Sequence, residues 1–437
     1  MKFENPPSID TEHLLFDDDQ LIKDYFSKKF EGFFKSIDSR YLYWDEVKYR
    51  KDLPFDAVKS WALIKLNRRS NFKQLSFGKF EFKYSLTESI QKSLHEFDLK
   101  LVGGLYKSPI TNFDKSEYLK NSLLEEAIAS SQIEGAATTT KVAWDMLKTG
   151  RTPRNESEQM IFNNLRGIRF IDEELSNSLD IKFIIDLHEI MAAKTSAEDC
   201  AGSFREDEIY VQDHIDGEIA HTPPNHELVN DLMEQLCQFA NDDKDFVHPI
   251  VKAAIIHFMI GFIHPFMDGN GRTARALFYW YLIKHDYTLI KNISISRAIL
   301  DSRIQYDKAF LKTEHDENDL TYFIMYSIKS LRVAFESLIQ YRDKKKEERD
   351  KSNLIAYKLI EKGLHKRQAD LVGYLYAKDS NRVNITAYSN KHDVVRQTAR
   401  KDLSDLVKLG IIEEEKDGRN ILFKVVSQEK VDSYLDN

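Results

Sequence analysis

The segment HPFMDGNGRTAR, residues 264–275, lies between two strongly helical patterns. Gly269 and Gly271 let the backbone bend and approach a ligand closely, and the first N–H groups of the following helix would point at an anion placed there. Arg272 and Arg275 are three residues apart, so their guanidinium groups can reach the same side of that helix. The segment therefore predicts a phosphate-binding loop.

Two further side chains of this segment suit phosphate chemistry. Asp268 is a hard oxygen ligand that can hold Mg²⁺ between phosphate oxygens. The imidazole of His264 has an unperturbed pKa near neutrality and can take a proton from an attacking hydroxyl. Each feature occurs alone in many proteins as an ordinary turn, a solvated arginine face or a structural histidine. Their conjunction in one short frame makes a chance match improbable.

The sequence around this segment is mainly helical. Apolar residues at helical spacing occur in residues 249–263, just before the segment, and also in residues 116–147, 156–171, 181–192 and 228–239. The stretch EIYVQDHIDGEIAHTPP, residues 208–224, instead alternates apolar and polar residues around Asp216-Gly217, a pair suited to a tight hairpin turn. These patterns predict a mainly α fold, a helical bundle with a small β-hairpin.

Composition excludes several classes of protein. Of the 437 residues, 42% are hydrophobic and 31% charged, and 63 Lys and Arg against 71 Asp and Glu give a net charge of −8. The chain is therefore neither wholly disordered nor a protein that coats nucleic acid along its whole length. Cys200 and Cys237 are too few for a disulfide framework, so we expect a reducing compartment and two small buried thiols.

The sequence also bears on location. The N-terminus lacks the basic and apolar regions of a signal peptide, and no run of about 18 apolar residues occurs. We therefore expect a cytoplasmic protein without membrane contact.

Residues 264–275 match the signature HPFx[DE]GNGRxxR of the Fic (filamentation induced by cAMP) family at every specified position. The chain thus resembles the Fic core over residues 110–335. The resemblance implies an all-helical fold with a β-hairpin flap. It also implies transfer of the adenylyl group of ATP to a Ser, Thr or Tyr hydroxyl of a target protein, with Mg²⁺ bound and pyrophosphate released.

The resemblance assigns a role to each residue of the segment. His264 would be the general base on the target hydroxyl, and Asp268 would bind the Mg²⁺ that bridges the α- and β-phosphates. Arg272 would hold the β-phosphate and Arg275 the γ-phosphate. The anion hole would be formed by Gly269, Asn270 and Gly271.

Gly271 also bears on the type of reaction. Doc-type kinases of the family carry a bulky basic residue at this position, bind ATP in the reverse sense and transfer the γ-phosphate. The glycine therefore favours AMP transfer, whereas transfer of UMP or phosphocholine stays open.

The hairpin resembles the family's flap, whose edge clamps a target segment by strand addition. That edge would be Ile209, Tyr210, Val211 and Gln212. Phe204-Arg205 before the hairpin and Thr222-Pro223-Pro224 at its end also fit the family pattern. Tyr306 lies where many members place a tyrosine against the adenine, although its neighbour Asp307 departs from the usual second aromatic residue.

An upstream segment, SSQIEG at residues 130–135, resembles the inhibitory motif (S/T)xxxE(G/N) of Fic proteins whose inhibitory helix precedes the core. By this resemblance Glu134 would form a bidentate pair with Arg275 and so misalign the triphosphate of ATP. Ser130 would steady the helix against the core. The resemblance implies an autoinhibited enzyme, and in some relatives the same glutamate serves removal of AMP, so a de-AMPylating hydrolase is an alternative.

Residues 352–437 resemble a winged helix-turn-helix, with a recognition helix over residues 395–409 and a wing tip at 416–419. This segment has 15 Lys and Arg against 13 Asp and Glu, a net charge of +2 within a chain of −8. A hydrogen-bonding surface suited to DNA would be formed by Arg396, Gln397, Thr398, Arg400 and Lys401. Protein contact or homodimerisation is the other use of such a domain.

We therefore predict three domains: a helical N-terminal region (1–109), a Fic core with its inhibitory helix (110–345) and a winged helix (352–437), with a charged helix end or linker at residues 342–351. The leading hypothesis is an autoinhibited protein adenylyltransferase that uses ATP and Mg²⁺ on an unknown target protein, the chain itself being one candidate. The alternative from another class is an ATP-sensing, DNA-binding regulator.

Overall fold

Helices account for most of the chain, with a few short antiparallel hairpins, which confirms the predicted fold class. The structure, a computed structural model, describes residues 3–8, 19–101, 112–212, 217–378, 381–417 and 420–436. The chain divides into two compact units, Met1–Glu336 and Ser337–Asn437.

The first unit begins with several short helices and a hairpin. These are α1 (Asp19–Phe26), α2 (Glu31–Asp38), α3 (Trp44–Val47), α4 (Ala57–Arg69), β1 (Lys73–Phe77), β2 (Phe80–Tyr84) and α5 (Glu88–Leu101). β1 and β2 pair antiparallel around Gly78, whose φ of 58° lies in the left-handed region. We did not predict this hairpin, because β1 is mostly exposed and its sequence shows little apolar alternation.

The remainder of the first unit surrounds the phosphate-loop segment, residues 264–275. Its elements are α6 (Asn112–Ile133), α7 (Thr140–Thr149), α8 (Glu156–Glu173), α9 (Ile181–Ala192), β3 (Val211–Gln212), β4 (Ile219–His221), α10 (Val229–Asn241), α11 (Pro249–Ile263), α12 (Asn270–Lys284), α13 (Ile295–Asp301) and α14 (Arg303–His315). Two predicted helices, 181–192 and 249–263, match α9 and α11 at both ends. The helical pattern predicted at 116–147 is instead two helices, interrupted at Gly135, whose φ is 92°.

Helices α11 and α12 form the centre of this unit. α11 is buried on all sides rather than along the single stripe that we predicted, because its apolar residues surround the axis. α12 is buried from Arg272 to Ile283 and packs against α11. The loop that joins them, residues 264–269, is therefore held at the edge of the densest part of the unit.

The second unit contains the helix-turn-helix and hairpin elements. Helix α15 (Thr321–Glu361) begins in the first unit and ends in the second, where it is followed by α16 (Lys366–Ala377), α17 (Ile385–His392), α18 (Arg396–Lys408), β5 (Ile412–Asp417), β6 (Asn420–Val425) and α19 (Gln428–Asp436). Asp393, with a φ of 49°, separates α17 from α18, and β5 pairs antiparallel with β6. The winged-helix assignment stays a prediction, and the tip residues 418–419 lie outside the described residues.

The charged run at residues 342–351 lies inside α15 rather than in a linker. Its Lys, Glu and Arg residues are strong helix formers, and Lys345 pairs with Glu348 one turn later at 2.9 Å. The two compact units divide after Glu336, earlier than the boundary that we placed near residue 350. The boundary predicted at residues 109–110 lies outside the described residues, and the three-domain division stays a prediction.

The two cysteines differ in their surroundings. Cys237 is buried, and burial raises the pKa of its thiol to about 12. Cys200 is exposed, so our expectation of two buried thiols is wrong for this residue. In the part of the chain that the structure describes, every helix is too short or too polar to span a bilayer.

Candidate active site

His264 terminates α11 in the left-handed conformation, with φ of 50° and ψ of 59°. Its Nδ1 lies 3.2 Å from the carbonyl oxygen of Gly261. Because a carbonyl oxygen can only accept a hydrogen bond, Nδ1 carries the proton, and the neutral ring keeps its lone pair on Nε2. The fold therefore sets the tautomer that a general base requires, with Nε2 as the accepting nitrogen.

The charge state of His264 supports the same role. Burial lowers the pKa of its imidazole to about 4, and the nearby positive charge of His221 acts in the same direction. The ring is therefore neutral near pH 7 and able to accept a proton.

Asn270 and His188 fix the shape of the loop. The side-chain amide of Asn270 donates to the carbonyl oxygen of Phe266 at 2.7 Å, and its Oδ1 accepts from the Phe266 N–H at 2.9 Å. His188 stacks on the ring of Phe266 with 3.6 Å between centroids, and its Nε2 lies 2.9 Å from the carbonyl oxygen of Asp268. Since the Asn270 side chain is occupied in this way, its backbone N–H is the group available to the predicted anion hole.

The start of α12 presents donors without intrahelical partners. Gly269 precedes the helix with a φ of 83°, and its carbonyl oxygen accepts from Thr273 N–H at 3.0 Å. The N–H groups of Asn270, Gly271 and Arg272 precede the first helical hydrogen bond and carry the positive end of the helix dipole. These N–H groups are available to an anion, and their role as the predicted anion cradle stays a prediction.

Arg272 is fully buried on the same side. Its Nη1 donates to the carbonyl oxygen of Met191 at 2.9 Å, and its Nη2 lies 3.1 Å from Oδ2 of Asp268. Its buried Nε has no hydrogen-bond partner. A buried guanidinium with an unused donor suits an anionic ligand, because leaving such a donor unpaired costs free energy.

Asp268 is the only acidic residue of the segment, and 49% of its side chain is exposed. The described residues contain no cluster of three or more His, Cys, Asp or Glu side chains able to hold a metal ion. A single accessible carboxylate fits Mg²⁺ that takes its other ligands from phosphate oxygens and water. It does not fit a metal bound by the protein alone.

Arg275 contacts the residues of the predicted inhibitory motif. Its Nε donates to Oγ of Ser130 and its Nη2 to the Ser130 carbonyl oxygen, both at 2.9 Å. Its Nη1 lies 2.9 Å from Oε1 of Glu134. The pair with Glu134 is therefore an ion pair at Nη1 without the bidentate hydrogen bonds that we expected, while Ser130 binds Nε and Nη2.

The carboxyl group of Glu134 is ionised in this position. Burial alone would raise its pKa, but the positive charges of Arg275, Arg303 and Arg272 outweigh that effect, so the pKa lies below its usual value. Glu134 thus lies among the same positive charges that a phosphate would contact.

Gly271 provides the space for Glu134. A Cβ built on this glycine would lie 2.1 Å from Oε1 of Glu134 and 3.0 Å from Nη1 of Arg275. No side chain larger than hydrogen fits there while Glu134 is in place.

The predicted flap lies beside the phosphate-loop segment. Val211 of β3 pairs with His221 of β4, and an irregularity in register follows at Gln212. Ile209 and Tyr210 lead into β3, and the tyrosine is 57% exposed. Asp216 of the predicted turn lies outside the described residues.

Arg205, which precedes the flap, binds the phosphate-loop segment directly. Its buried guanidinium donates from Nε to the carbonyl oxygen of His264 at 2.9 Å, and another of its donors binds the Pro224 carbonyl oxygen. In the sequence Arg205 only fitted a family pattern, and His188 and His221 gave no signal at all.

Tyr306 is buried beside the site. Its hydroxyl lies 2.9 Å from Nε2 of His257, and its ring packs edge-on against Phe310. It lines a small cavity together with Arg275 and His257. Its predicted contact with adenine stays a prediction, because the ring is covered in this state. Asp307 is bound by Nε of Arg303 at 3.0 Å.

Two packed, buried helices and their connecting loop thus bring together His264, the free N–H groups at the start of α12 and two buried arginines, Arg272 and Arg275. Residues 178–282 match the sequence model of the Fic/DOC family. The chain therefore contains a Fic/DOC-family domain, which confirms the resemblance found in its sequence.

Relatives and solved structures agree with this assignment. A protein adenylyltransferase Fic from Nematostella vectensis is 28% identical over 186 residues, which are 40% of this chain and 40% of that protein. The chain thus spans less than half the length of this curated relative.

Two solved structures share the fold. A fragment of Fic-1 from C. elegans has a TM-score of 0.54 at 17% identity and covers 76% of this chain and 92% of that one. A Fic family protein from Desulfovibrio desulfuricans G20 has a TM-score of 0.52 at 16% identity and covers 77% of this chain and 94% of that one.

Proposed function

We propose that this chain is an autoinhibited protein adenylyltransferase that moves AMP from ATP to a hydroxyl group of a protein. The observation that carries the proposal is the position of His264. Its Nδ1 is occupied by Gly261, so the accepting Nε2 remains for the target hydroxyl beside the anion cradle of α12. The similarity to proteins named protein adenylyltransferase Fic supports the same activity.

The reaction follows from these groups. The target hydroxyl would give its proton to Nε2 of His264 as its oxygen attacks the α-phosphorus of ATP. The bond from that phosphorus to the bridging oxygen would break, and pyrophosphate would leave against Arg272 and the N–H groups of α12. Mg²⁺ held by Asp268 would neutralise charge on the phosphates when bound.

Glu134 would act as the brake. Its carboxylate occupies Nη1 of Arg275 and lies beside Gly271, in space that a phosphate at this end of the cradle would need. ATP would then bind with its triphosphate displaced from in-line geometry. Removing the carboxylate frees Arg275 for the nucleotide.

Two variants test this proposal with ATP labelled at the α or the γ position. Glu134→Gly should raise label transfer from the α position by about tenfold or more, the change produced by ~1.4 kcal/mol. Adding His264→Ala should lower it by a factor of about 10² to 10⁴. A matched control is Glu174→Gly, which also removes a glutamate just after a helix but one whose side chain binds Asn177.

The outcomes separate the alternatives. Label from the γ position would indicate a kinase, and no label from either position with Glu134→Gly would favour the ATP-sensing regulator. Loss of AMP from already modified protein, catalysed by the wild type but not by Glu134→Gly, would favour the de-AMPylating hydrolase. An unchanged rate with Glu134→Gly would overturn the brake.

Binding of DNA by the second unit is a further candidate function. Arg396, Arg400 and Lys401 are exposed at the start of α18 and form no ion pair with any described residue, and Gln397 beside them is exposed as well. Thr398 is half-buried. An unpaired basic surface at the start of such a helix suits phosphates and base edges.

A gel-shift series in rising salt tests this surface. If it binds DNA, Arg400→Ala should weaken binding and reduce the salt slope by about 1. Lys408→Ala at the far end of α18, where the lysine pairs with Asp405, is the control. If DNA affinity changed neither with salt concentration nor with Arg400→Ala, this surface would not be the DNA-binding site. The target protein, a homodimer and a cytoplasmic location stay predictions, to be tested by labelling of lysate, by sedimentation and by fractionation.

A further inference from the structure

His221 is the last residue of β4, and only 9% of its side chain is exposed. Both of its ring nitrogens form hydrogen bonds within the protein. Nδ1 lies 2.7 Å from Oε2 of Glu314 in α14, and Nε2 lies 2.8 Å from the carbonyl oxygen of Phe262 in α11. The ring therefore links the flap to two helices of the core.

The two partners determine the charge of the ring. A carbonyl oxygen and a carboxylate can only accept hydrogen bonds, so both nitrogens of His221 carry protons and the ring is an imidazolium. Burial opposes this charge, but the bonds and charge of Glu314 outweigh burial, and the pKa of His221 lies above its usual value. The geometry and the electrostatics thus agree.

His221 acts beside a second cation. Arg205, on the other side of the flap, donates to the carbonyl oxygen of His264 at 2.9 Å and lies 3.4 Å from that of Ile263. The carbonyl oxygens that end α11, from Phe262 to His264, are therefore all contacted by cations from the flanks of the flap. A helix carboxyl end carries partial negative charge and favours such cations.

We propose that His221 is a positioning residue that, as an imidazolium, clamps the flap to the carboxyl end of α11 and holds His264 in its left-handed conformation. For its catalytic consequence this inference rests on the proposed adenylyl transfer. His221 itself touches neither substrate nor reacting atoms.

The clamp predicts a pH dependence. The charged and titratable groups that face His221 are Glu314 on α14, Arg205 before the flap and His264 at the end of α11. A neutral ring has one N–H, so deprotonation turns a lone pair toward either Glu314 or the Phe262 carbonyl and breaks one bond. Because the folded-state pKa is raised, the clamp is complete below about pH 6.5 and is lost as pH rises through the folded-state pKa.

Imidazole NMR and hydrogen exchange of the wild-type chain test the clamp without any assay of activity. His221 should titrate above 6.5, and the protection factors of Val211 and Gln212, which correct for the intrinsic pH dependence of amide exchange, should fall through the same pH range. Glu314→Gln should lower the pKa of His221 and move this fall in protection to lower pH. His221→Gln should make the protection factors low at every pH, and should raise the pKa of His264 by removing a nearby positive charge.

The catalytic arm uses the Glu134→Gly background. Adding His221→Gln should lower kcat for AMP transfer about ten- to hundredfold while the KM for ATP changes by less than about twofold. The alkaline limb of the rate profile should disappear with it, whereas the acid limb set by His264 remains. His226→Gln is the matched control, since His226 also pairs with a glutamate, Glu208, but among the described residues its ring has no hydrogen bond or ion pair with α11.

Two results would overturn the clamp: a His221 that titrates at or below 6.5, or flap exchange and a His264 pKa that His221→Gln leaves unchanged. If the clamp is found but no variant transfers AMP, the proposed function fails while the structural role of His221 stands. If AMP transfer is found but loss of His221 changes neither kcat nor the alkaline limb, the positioning role is wrong.

Discussion

The phosphate-loop segment is held in opposite ways on its two sides. On the flap side, Arg205 and His221 donate to backbone carbonyl oxygens, acceptors that a nucleotide does not need. On the brake side, Ser130 and Glu134 contact the guanidinium group of Arg275, which the proposed reaction assigns to a phosphate. Under the proposed function, the flap-side contacts would support the site, whereas the brake-side contacts would compete with the nucleotide.

This difference predicts whether a substitution raises or lowers stability and AMP transfer. Loss of a flap-side contact should lower both stability and transfer, because nothing replaces it. Loss of a brake-side contact should also lower the stability of the nucleotide-free protein but raise transfer, because ATP can replace it.

The largest effect is expected for Arg205→Ala on the flap side. The substitution leaves several buried carbonyl oxygens without donors, including those of His264 and Pro224. Because each buried acceptor left unpaired costs about 1 to 3 kcal/mol, we expect the free energy of unfolding of the first unit to fall by about 3 to 5 kcal/mol. Calorimetry checks this value, with exposed Arg169→Ala as a control that should change it by less than about 0.5 kcal/mol. If the free energy of unfolding fell by less than about 1 kcal/mol, Arg205 would not be a stabilising contact of the flap side.

A smaller change in the free energy of unfolding is expected for Gly271→Ala on the brake side. The added methyl group meets Glu134 at 2.1 Å, so the carboxylate must move, and unfolding should become easier by about 1 to 3 kcal/mol. Most of this loss should vanish in a Glu134→Gly background, which a double-mutant cycle measures. Strict additivity would show that the two residues do not interact.

Gly32→Ala provides the control for added volume. No atom lies within 4 Å of a Cβ at this helical glycine of α2. The substitution should leave stability unchanged or raise it by up to about 1 kcal/mol.

The smallest effect is expected for Ser130→Ala. Arg275 loses one hydrogen bond but keeps the Ser130 carbonyl oxygen and Glu134. AMP transfer should therefore rise only about three- to tenfold, as expected for one bond of about 1 kcal/mol. Ser131→Ala is the neighbouring control, because Ser131 binds Ala127 and Asn164 instead. An equal rise in both variants would mean that the helix, rather than the bond to Arg275, causes the change.

Local signals in the sequence predicted much of the fold. The apolar pattern and Pro249 predicted α11 correctly at both ends. The placement of Gly271, Arg272 and Arg275 close together at the start of α12 was also deducible from their spacing. The prediction of a charged helix end or linker at residues 342–351 was wrong, because a mixed-charge run is compatible with either a linker or the middle of an exposed helix. Contacts between residues within one or two helical turns of each other can therefore be deduced from the sequence.

The residues that the sequence did not reveal act over long separations. His188 contacts Asp268 80 residues later, and His221 contacts Glu314 93 residues later. A single histidine has no periodic pattern, so only the folded chain shows its partners. The departure at Asp307 is also explained by tertiary contacts, since this carboxylate binds Arg303, which donates to the carbonyl oxygen of Ile133 at the end of α6.

Glu134 can also be considered as a built-in counter-ion. Arg272 and Arg275 are both buried, and two guanidinium charges without an anion nearby would oppose folding. The carboxylate keeps this buried region closer to electroneutrality. Under the proposed function, the protein would exchange one anion for another when ATP binds, and a chain without Glu134 should gain more thermal stability from the nucleotide than the wild type does.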